Sequence, residues 1–371
     1  MHVLILASYG PSLVNFRGPL IRELVARGHK VSVASPGCSV GAQAYKELRS
    51  LGVVDYEIPL SRTGTSLLAD LTSFLHILRL VLKTHPDVVL TYTIKPVIYG
   101  SIAAWLARVD QRFAFVTGLG FNFTGGRSGG VMQLVRWMYR FALGKVNKVF
   151  FQNRDDERLF ADLGILSRKT PTVIVNGSGV DLSHFDVAPL PVGKPTFLMI
   201  CRLLGDKGVR EYSRAAHKLH QKREEVCIRL IGWIDENPDS ISPAELDEWV
   251  KSGNIEFLGY LDDVRPAIAG ANVYVLPSYR EGTPRTVLEA MAMGRPVITT
   301  DAPGCRETVI EGDNGFLVPV KSVDALAEAM QKFIDDPKLA IRMGKRSREI
   351  AEEKYDVHKV NAVMLREMGI S

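Results

Sequence analysis

The sequence predicts an α/β protein built from two doubly wound domains, each with a parallel sheet covered by helices on both faces. Short apolar runs alternate with longer amphipathic segments along nearly the whole chain, which is the pattern of repeated strand–helix crossover units. The alternation pauses over residues 181–195, where three prolines and a glycine stand in a stretch with little periodicity. A length of 371 residues suits two domains. We therefore predict domains at residues 1–185 and 186–371, with a last helix, about residues 355–371, that packs back on the first domain.

The first domain opens on a short, entirely apolar run, which is typical of a parallel strand buried on both faces. Its strands are predicted at residues 3–7, 30–34, 53–58, 87–92, 112–117, 148–152 and 172–175. Its helices are predicted at residues 19–27, 42–51, 67–83, 97–107, 131–145 and 155–163. Gly28 and Gly52 follow two of these helices, where glycine commonly ends a helix. Residues 8–18 are predicted to form the first strand-to-helix loop.

The second domain repeats the alternation. Its strands are predicted at residues 196–201, 226–231, 255–258, 272–276 and 296–300. Its helices are predicted at residues 209–222, 244–251, 263–269, 285–292, 323–334 and 339–353. Ligands of doubly wound sheets bind at the carboxyl ends of the strands, so the strand-to-helix loops of both domains are expected to face a cleft between them.

Composition excludes several classes of protein. Hydrophobic residues make up 46% of the chain and charged residues 23%, which rules out a disordered or fibrous protein. The four cysteines form no C-x-x-C pair, which argues against a zinc ribbon or a thioredoxin-type redox motif. The first apolar run is too short for a signal peptide, and no later run reaches the ~18 apolar residues of a membrane-spanning helix. We therefore expect a protein of the cytosol, or one attached to a membrane surface without spanning it.

Charge is distributed unevenly along the chain. The net charge is +5, and between Asp110 and Asp155 there is no acidic residue, while basic and aromatic residues alternate. Such a segment suits an anionic membrane surface. The residues predicted to contact such a surface are Arg127, Arg136, Trp137, Arg140 and Lys145. The alternatives are an ordinary amphipathic helix on a sheet, with a solvated basic side, and a nucleic-acid surface, for which no binding motif is present.

The usual sequence motifs that bind redox cofactors, nucleoside triphosphates and metals are missing. The chain contains neither G-x-G-x-x-G nor the P-loop pattern, and no D-x-D pair that could bridge a nucleotide diphosphate through a metal ion. His217 and His220 share a helix face but have no third ligand nearby in sequence. We therefore predict no metal and no cofactor.

Two segments of the second half carry candidate chemistry. Arg202 and Lys207 follow a predicted strand and precede a helix, where two cations beside helix N–H groups suit a diphosphate, although an exposed turn would look the same. Glu281 and Glu289 stand on either side of a Gly–Pro turn, from which they could hydrogen-bond two hydroxyl-bearing parts of one ligand. The N–H groups of the turn and first helical residues would point at its phosphates.

These residues form a recognisable pattern. E-G-x-P-x-x-x-L-E-A-M-A-x-G-x-P-V-I at residues 281–298, with R-x-x-x-x-K-G upstream, resembles the retaining, nucleotide-sugar-dependent glycosyltransferases of family 4, which have the GT-B fold. The runs N-F-R at 15–17, V-T-G-L-G at 116–120, G-W-I-D-E-N-P at 232–238 and L-P-S-Y-R-E-G at 276–282 resemble bacterial N-acetylgalactosaminyltransferases that extend polyprenyl-diphosphate-linked sugars. The resemblance covers essentially the whole chain.

The resemblance implies a role for each matching position. Arg202 and Lys207 would hold the donor diphosphate and stabilise the leaving group, Glu281 would bond the donor sugar, and Glu289 the ribose. The other residues that would contact a UDP-N-acetylhexosamine donor are Gly10, Gly232, Tyr260, Leu261, Gly282, Thr283, Pro284, Arg285 and Thr286. The residues near the polyprenyl-diphosphate-linked sugar acceptor would be Asn15, Arg17, Thr93, Lys95, Thr117 and Gly118.

One departure from the family bears on mechanism. Many members have a histidine where this chain has Thr117, which cannot act as a base at neutral pH. The expectation is therefore a same-face displacement, in which a leaving phosphate oxygen takes the acceptor proton. The alternatives are a different donor sugar or acceptor, or a GT-B protein that binds nucleotide sugars or epimerises them without transfer.

Overall fold

The computed structural model describes residues 1–37, 42–60, 67–118, 130–222, 225–235 and 237–370. The chain divides into two compact units, of which the first is Met1–Ser178 with Val360–Ser371 and the second is Gly179–Lys359. The division falls after Ser178 rather than at residue 185, because Val180 already pairs with the segment around Asp356 in the second unit. The last residues of the chain group with the first unit.

The first unit is built on a parallel sheet. Its strands are β1 (His2–Leu6), β2 (Lys30–Ser35), β3 (Val54–Glu57), β4 (Val88–Tyr92), β5 (Gln111–Val116), β6 (Lys148–Phe151) and β7 (Thr172–Ile174). They lie in the order β3-β2-β1-β4-β5-β6-β7, with parallel pairing throughout. The strand order reverses between β1 and β4, which is the position where doubly wound sheets bind ligands. The helices between the strands are α1 (Gly10–Ala26), α2 (Ala42–Ser50), α3 (Leu67–Thr84), α4 (Ile94–Leu106), α5 (Gly130–Leu143) and α6 (Arg154–Asp162).

The second unit repeats the architecture. Its strands are β8 (Thr196–Ile200), β9 (Cys227–Ile231), β10 (Glu256–Phe257), β11 (Val273–Leu276), β12 (Val297–Thr300) and β13 (Gly315–Val318), in the order β10-β9-β8-β11-β12-β13 and parallel. The order reverses between β8 and β11. Its helices are α7 (Val209–Gln221), α8 (Pro243–Lys251), α9 (Arg265–Ala269), α10 (Arg285–Ala292), α11 (Val323–Asp335) and α12 (Pro337–Ile350), and α13 (Val357–Met368) leads back to the first unit.

The sheet of the first unit has an apolar core on each face. Along β1, Leu4 and Leu6 belong to one core and Val3 and Ile5 to the other, because side chains alternate across a strand. Helices α3 to α6 supply the first of these cores. Helices α1 and α2 supply the other, together with Met364 and its neighbours from α13. No helix within the described ranges is long and apolar enough to cross a membrane.

The largest error in the predicted elements concerns α1. The helix begins at Gly10 instead of residue 19, so most of the predicted first loop is helical. Leu13, Leu20 and Leu24 share its buried face. The free energy gained by burying that face exceeds the cost of the backbone hydrogen bond that is missing because Pro19 has no N–H. The short strand β13 was not predicted, because four residues after a turn show too little alternation to identify a strand.

Candidate functional site

The strand order of the second unit brings the predicted ionic residues together. Arg202 and Lys207 follow β8, and Glu281 follows β11. These two strands are hydrogen-bonded neighbours at the point where the strand order reverses. The cations and the carboxylate therefore stand at the carboxyl edge of the sheet, where such folds bind nucleotides.

Lys207 and Glu281 form a tight pair in a mostly buried setting. Lys207 Nζ lies 2.6 Å from Glu281 Oε1, and their side chains are 14% and 17% exposed. Ser278 donates a hydrogen bond from Oγ to the same carboxylate oxygen at 2.9 Å. Burial by itself lowers the pKa of Lys207, but the charges of Glu281 and Asp206 outweigh it and the net shift is upward. Lys207 therefore carries a positive charge at neutral pH.

The second cation, Arg202, is held by Asp235, a residue for which the sequence predicts no role. Arg202 Nη1 donates to Asp235 Oδ2 at 3.0 Å. The other carboxylate oxygen of Asp235 accepts the backbone N–H of Asn237 at 3.0 Å, so the carboxylate is fixed by its own turn. The D-x-N spacing of this turn is the signal that could have identified Asp235 as a fixed partner.

Three strand-to-helix loops are packed backbone to backbone around this pair. Glu281 N donates to Pro303 O at 2.9 Å, so the loop after β12 supports the loop after β11. Gly304 has a φ of +79°, and a Cβ there would lie 2.0 Å from Glu281 O. Gly208 has a φ of +74°, and a Cβ there would lie 2.2 Å from Pro277 O. Sequence reasoning missed Gly304 and Ser278, although Pro303–Gly304 is a typical turn dipeptide.

Helix α10 begins beside the ionic cluster. Glu289, on its second turn, is only 7% exposed and accepts a hydrogen bond from Arg285 Nε at 2.8 Å. Burial raises the pKa of Glu289, and Arg285 opposes the rise. Thr286 donates from Oγ1 to Ile200 O at 3.3 Å, which ties the helix to the end of β8. Gly282 and Pro284 are buried and Thr283 is half-buried in the turn that precedes the helix.

The remaining predicted donor residues of this unit lie at the ends of β9 and β10. Gly232 N donates to Gly259 O at 2.9 Å, and a Cβ on Gly232 would lie 1.9 Å from Cys201 O, so only glycine fits. Tyr260 is exposed, whereas Leu261 packs against the core.

In the first unit the structure separates the residues predicted at the first loop. A Cβ on Gly10 would lie 2.5 Å from Tyr45 Oη, so the packing of Tyr45 accounts for glycine here. Asn15 is exposed on α1, but Arg17 is 2% exposed, with its guanidinium 4.1 Å from the ring centroid of Phe115. Arg17 is thus enclosed by aromatic side chains, and its place near the acceptor stays a prediction. Two residues along a helix point to different sides, because each turn takes 3.6 residues.

Thr93 and Lys95 lie where the strand order of the first unit reverses. Thr93 has a φ of +68°, which is an outlier for a β-branched residue, and its Oγ1 donates to Ser8 Oγ at 2.8 Å. Lys95 Nζ lies 2.6 Å from Asp70 of α3. Thr117 and Gly118 follow β5 and are half-buried.

The residues predicted to contact a membrane lie on α5 and just beyond it, except Arg127, which is outside the described residues. Trp137 is 62% exposed and stacks on Phe141, with ring centroids 5.8 Å apart. Arg140 is exposed, Arg136 is half-buried, and Lys145 Nζ lies 4.4 Å from the ring centroid of Trp105. Helices α3 and α5 both pack against α4, and α3 exposes a row of leucines, namely Leu68, Leu71, Leu75 and Leu82. Throughout the described ranges, no three His, Cys, Asp or Glu side chains cluster as metal ligands would.

The fold and the site correspond to known families. Residues 16–177 match a model described as a glycosyl transferase 4-like domain, and residues 182–350 match one described as glycosyl transferases group 1. The chain therefore belongs to the glycosyltransferases, and its fold is GT-B. The predicted family and fold are confirmed.

Two relatives and one solved structure illustrate the likeness. The chain is 28% identical, over 96% of its length and 95% of the relative's, to the N,N'-diacetylbacillosaminyl-diphospho-undecaprenol alpha-1,3-N-acetylgalactosaminyltransferase of Campylobacter jejuni. It is 27% identical, over 81% of its length and 80% of the relative's, to the UDP-Gal:alpha-D-GlcNAc-diphosphoundecaprenol alpha-1,3-galactosyltransferase of Escherichia coli. Anabaena Alr3699/HepE, solved in complex with UDP and glucose, superposes with a TM-score of 0.79 at 19% identity, covering 100% of this chain and 99% of that chain.

Proposed function

We propose that this glycosyltransferase moves an N-acetylhexosamine, N-acetylgalactosamine in the first instance, from a UDP-sugar to a polyprenyl-diphosphate-linked saccharide, with retention and without a metal. The names of the Campylobacter jejuni and Escherichia coli relatives both specify a sugar linked to undecaprenyl diphosphate as the acceptor. The Campylobacter jejuni relative is named as an N-acetylgalactosaminyltransferase. The observation that carries the proposal is the arrangement of Arg202, Lys207 and Glu281 at the reversal of strand order in the second unit.

Two fixed cations at this edge suit a leaving nucleoside diphosphate. As the bond between the anomeric carbon and the diphosphate oxygen breaks, negative charge grows on the phosphate, and Arg202 and Lys207 stabilise it. They supply the charge that a bridging metal would supply in other transferases. Glu281, already desolvated beside Lys207, accepts hydrogen bonds from hydroxyls of the donor sugar. Because Lys207 neutralises it, a carboxylate can stand near an anionic donor at little electrostatic cost.

Transfer then proceeds on one face of the sugar. The acceptor oxygen forms the new bond to the anomeric carbon on the side that the diphosphate leaves, and its proton passes to a phosphate oxygen. No protein base is required, which agrees with a threonine at position 117. The acceptor is taken by the first unit, near Asn15, Thr93 and Lys95.

The acceptor's lipid places the enzyme on the inner leaflet, peripheral to the membrane. Helices α3 and α5 provide the contact, through the exposed leucines of α3 and through Trp137 and Arg140 of α5. Exposed apolar side chains beside basic ones are what an anionic bilayer surface binds.

The test is UDP release by purified protein in the presence of a short polyprenyl-diphosphate-linked N-acetylhexosamine. The donors are UDP-N-acetylgalactosamine, UDP-N-acetylglucosamine and UDP-galactose, each with and without EDTA. We expect EDTA-resistant release with one N-acetylhexosamine donor, and a loss of at least 100-fold in Glu281→Ala and Lys207→Ala. Lys218→Ala, which removes an exposed ion pair with Asp324 in the same unit, is the matched control and should retain activity.

The outcomes separate the parts of the proposal. UDP release from UDP-galactose alone would show that the donor is UDP-galactose and not a UDP-N-acetylhexosamine. Loss of activity with EDTA would overturn metal independence. A product with inverted anomeric configuration, seen by NMR, would overturn retention. Activity that survives in both Glu281→Ala and Lys207→Ala would show that this cluster is not the donor site.

A further inference from the structure

Tyr279 connects the two loops that carry the buried ion pair of the second unit. Its backbone N–H donates to Asp206 O at 2.8 Å, and Asp206 directly precedes Lys207 in the loop after β8. Tyr279 itself lies two residues before Glu281, in the loop after β11. The loops that carry the two charges are therefore joined by a backbone hydrogen bond that lies within two residues of each charge.

The side chain of Tyr279 is fixed separately from its backbone. Its hydroxyl donates to Glu211 Oε1 at 2.9 Å, and Glu211 lies on the first turn of α7. Lys321, from the loop after β13, places its Nζ 5.1 Å from the centroid of the tyrosine ring. Burial, together with the Glu211 carboxylate, raises the pKa of Tyr279, so the phenol keeps its proton and remains a donor. The residue is thus held at its backbone, its ring and its hydroxyl.

Folding stability does not account for a carboxylate at position 211. Glu211 is only 7% exposed, and within the described ranges no hydrogen bond reaches its second oxygen, Oε2. A buried carboxylate with one oxygen left unsatisfied is less favourable for folding than a well-packed apolar side chain of similar size. What the carboxylate does provide is a strong acceptor for the Tyr279 hydroxyl, because a hydrogen bond to a charged oxygen is stronger than one to a neutral oxygen.

We propose that Tyr279, anchored to Glu211, is a positioning residue that holds the loop after β11 against the loop after β8, so that Lys207 and Glu281 keep the geometry that the transition state requires. The inference rests on the proposed function and adds to it a residue that acts through the ion pair and takes no part in the bond exchange. A displacement of about 1 Å in a catalytic group can lower a rate roughly 100-fold, so a small shift of one loop is sufficient to reduce turnover.

The test separates positioning from stability by means of a rescue variant, with UDP release to a polyprenyl-diphosphate-linked N-acetylhexosamine as the assay. Tyr279→Phe removes only the hydroxyl and leaves the Glu211 carboxylate without its donor. It should unfold at a lower urea concentration than the wild type and lose roughly tenfold or more in kcat. The KM for the UDP-sugar that the wild type uses should stay within about threefold, because the ion pair acts mainly on charge that grows in the transition state.

The rescue variant combines Tyr279→Phe with Glu211→Leu, which removes the buried carboxylate as well. We expect it to recover the urea midpoint and to keep the low kcat, because the loop after β11 is still unanchored. Tyr212→Phe is the matched control, because Tyr212 follows Glu211 on α7 and its hydroxyl donates to Arg229 O of β9 at 3.2 Å. This control should lose stability and keep kcat.

The outcomes separate the inference from the proposed function. Recovery of kcat together with the urea midpoint in the double variant would show that the pair serves stability alone. An unchanged kcat in Tyr279→Phe, or an equal loss of kcat in Tyr212→Phe, would show that the hydroxyl of Tyr279 does not position the ion pair. Each of these results, obtained with an active wild type, overturns the inference and leaves the proposed function standing. If the wild type releases UDP from none of the donors, the proposed function fails, and the inference fails with it.

Discussion

Three arginines illustrate how surroundings decide the role of a residue. Arg295 is fully buried and donates to five backbone carbonyls, those of Ala188, Pro189, Ile268, Ala269 and Met293. Burial lowers its pKa to about 10, so it stays charged at neutral pH and holds the chain together. Arg17 is also buried, against aromatic rings. Only Arg202 has a partly exposed guanidinium beside the ionic cluster, which leaves it able to meet a ligand.

Two glutamates of the second unit predict opposite pH effects on stability. Burial raises the folded-state pKa of Glu289 above its ordinary value of 4.5. The stability that this carboxyl contributes is therefore complete below about pH 4.5 and is lost as the pH rises through the raised folded-state pKa. We expect Glu289→Gln to gain unfolding free energy relative to the wild type between pH 4 and pH 8, measured by urea unfolding.

Glu245 is the matched control, because its pKa is shifted in the opposite direction from that of Glu289. A hydrogen bond from Arg210 lowers its pKa to about 2. Its stabilising contribution is present above about pH 4.5 and is lost as the pH falls towards 2. Glu245→Gln should therefore be less stable than the wild type at pH 7, with a difference that shrinks below pH 4. Differences that do not change with pH in either variant would contradict this account of the two carboxyls.

At the level of elements, the loops after β8, β11 and β12 act as one packed layer. Gly208 and Gly304 are the points where their backbones approach closest, since no Cβ fits at either position. The pairing of Lys207 with Glu281 depends on this layer, because the two residues lie on different loops. The distance between Lys207 and Glu281 is therefore fixed by how tightly these three loops pack.

The packing of this layer can be tested with a pair of glycines. Gly304→Ala and Gly312→Ala both force a side chain onto a residue with φ near +80°, at a cost of roughly 1–2 kcal/mol. Only at Gly304 would the new Cβ meet Glu281 O, whereas nothing lies within 4 Å of a Cβ at Gly312. We expect Gly304→Ala to lose at least tenfold in kcat and to lose more stability than Gly312→Ala, because its Cβ must displace backbone. Gly312→Ala should keep kcat and lose only the stability that its positive φ costs. Equal activities in the two variants would show that the position of Glu281 does not depend on this contact.

The sequence predicted the elements unevenly. Helix α10 was predicted with its observed bounds, because a Gly–Pro turn and an apolar repeat mark it clearly. Helix α1 was predicted to begin nine residues too late, because Pro19 looks like a helix start in the sequence and lies inside the helix in the structure. Its true start is set by apolar burial against the sheet, which local signals do not reveal.

At the scale of the whole molecule, the two faces of the first sheet differ in what they expose. The α1–α2 face is completed by Met364, Leu365 and Met368 of α13, which returns from the second unit. Lys148 and Glu367 add an ion pair at 2.8 Å to this attachment. The α3–α5 face instead leaves leucines and Trp137 exposed.

This asymmetry predicts which face meets a bilayer. Each basic residue near an anionic surface contributes about 1 kcal/mol, so Arg136→Gln with Arg140→Gln should weaken binding to vesicles of anionic lipid roughly 30-fold in a sedimentation assay at low salt. Arg22→Gln with Lys46→Gln removes the same charge from α1 and α2, on the other face, and should have little effect. If both double variants bind as the wild type does, the membrane surface lies elsewhere.

The sequence by itself determined the two doubly wound domains and the family, because periodicity and local motifs are properties of neighbouring residues. It also singled out Arg202, Lys207, Glu281 and Glu289 as candidate site residues. Only the tertiary structure decided that Asp235 holds Arg202, that Gly304 supports Glu281, and that Arg17 is buried. These facts depend on contacts between strands and loops far apart in the chain. Local signals such as D-x-N and Pro–Gly mark the turns but do not say which residues the turns contact, because those contacts arise from the strand order and from the packing of one loop on another.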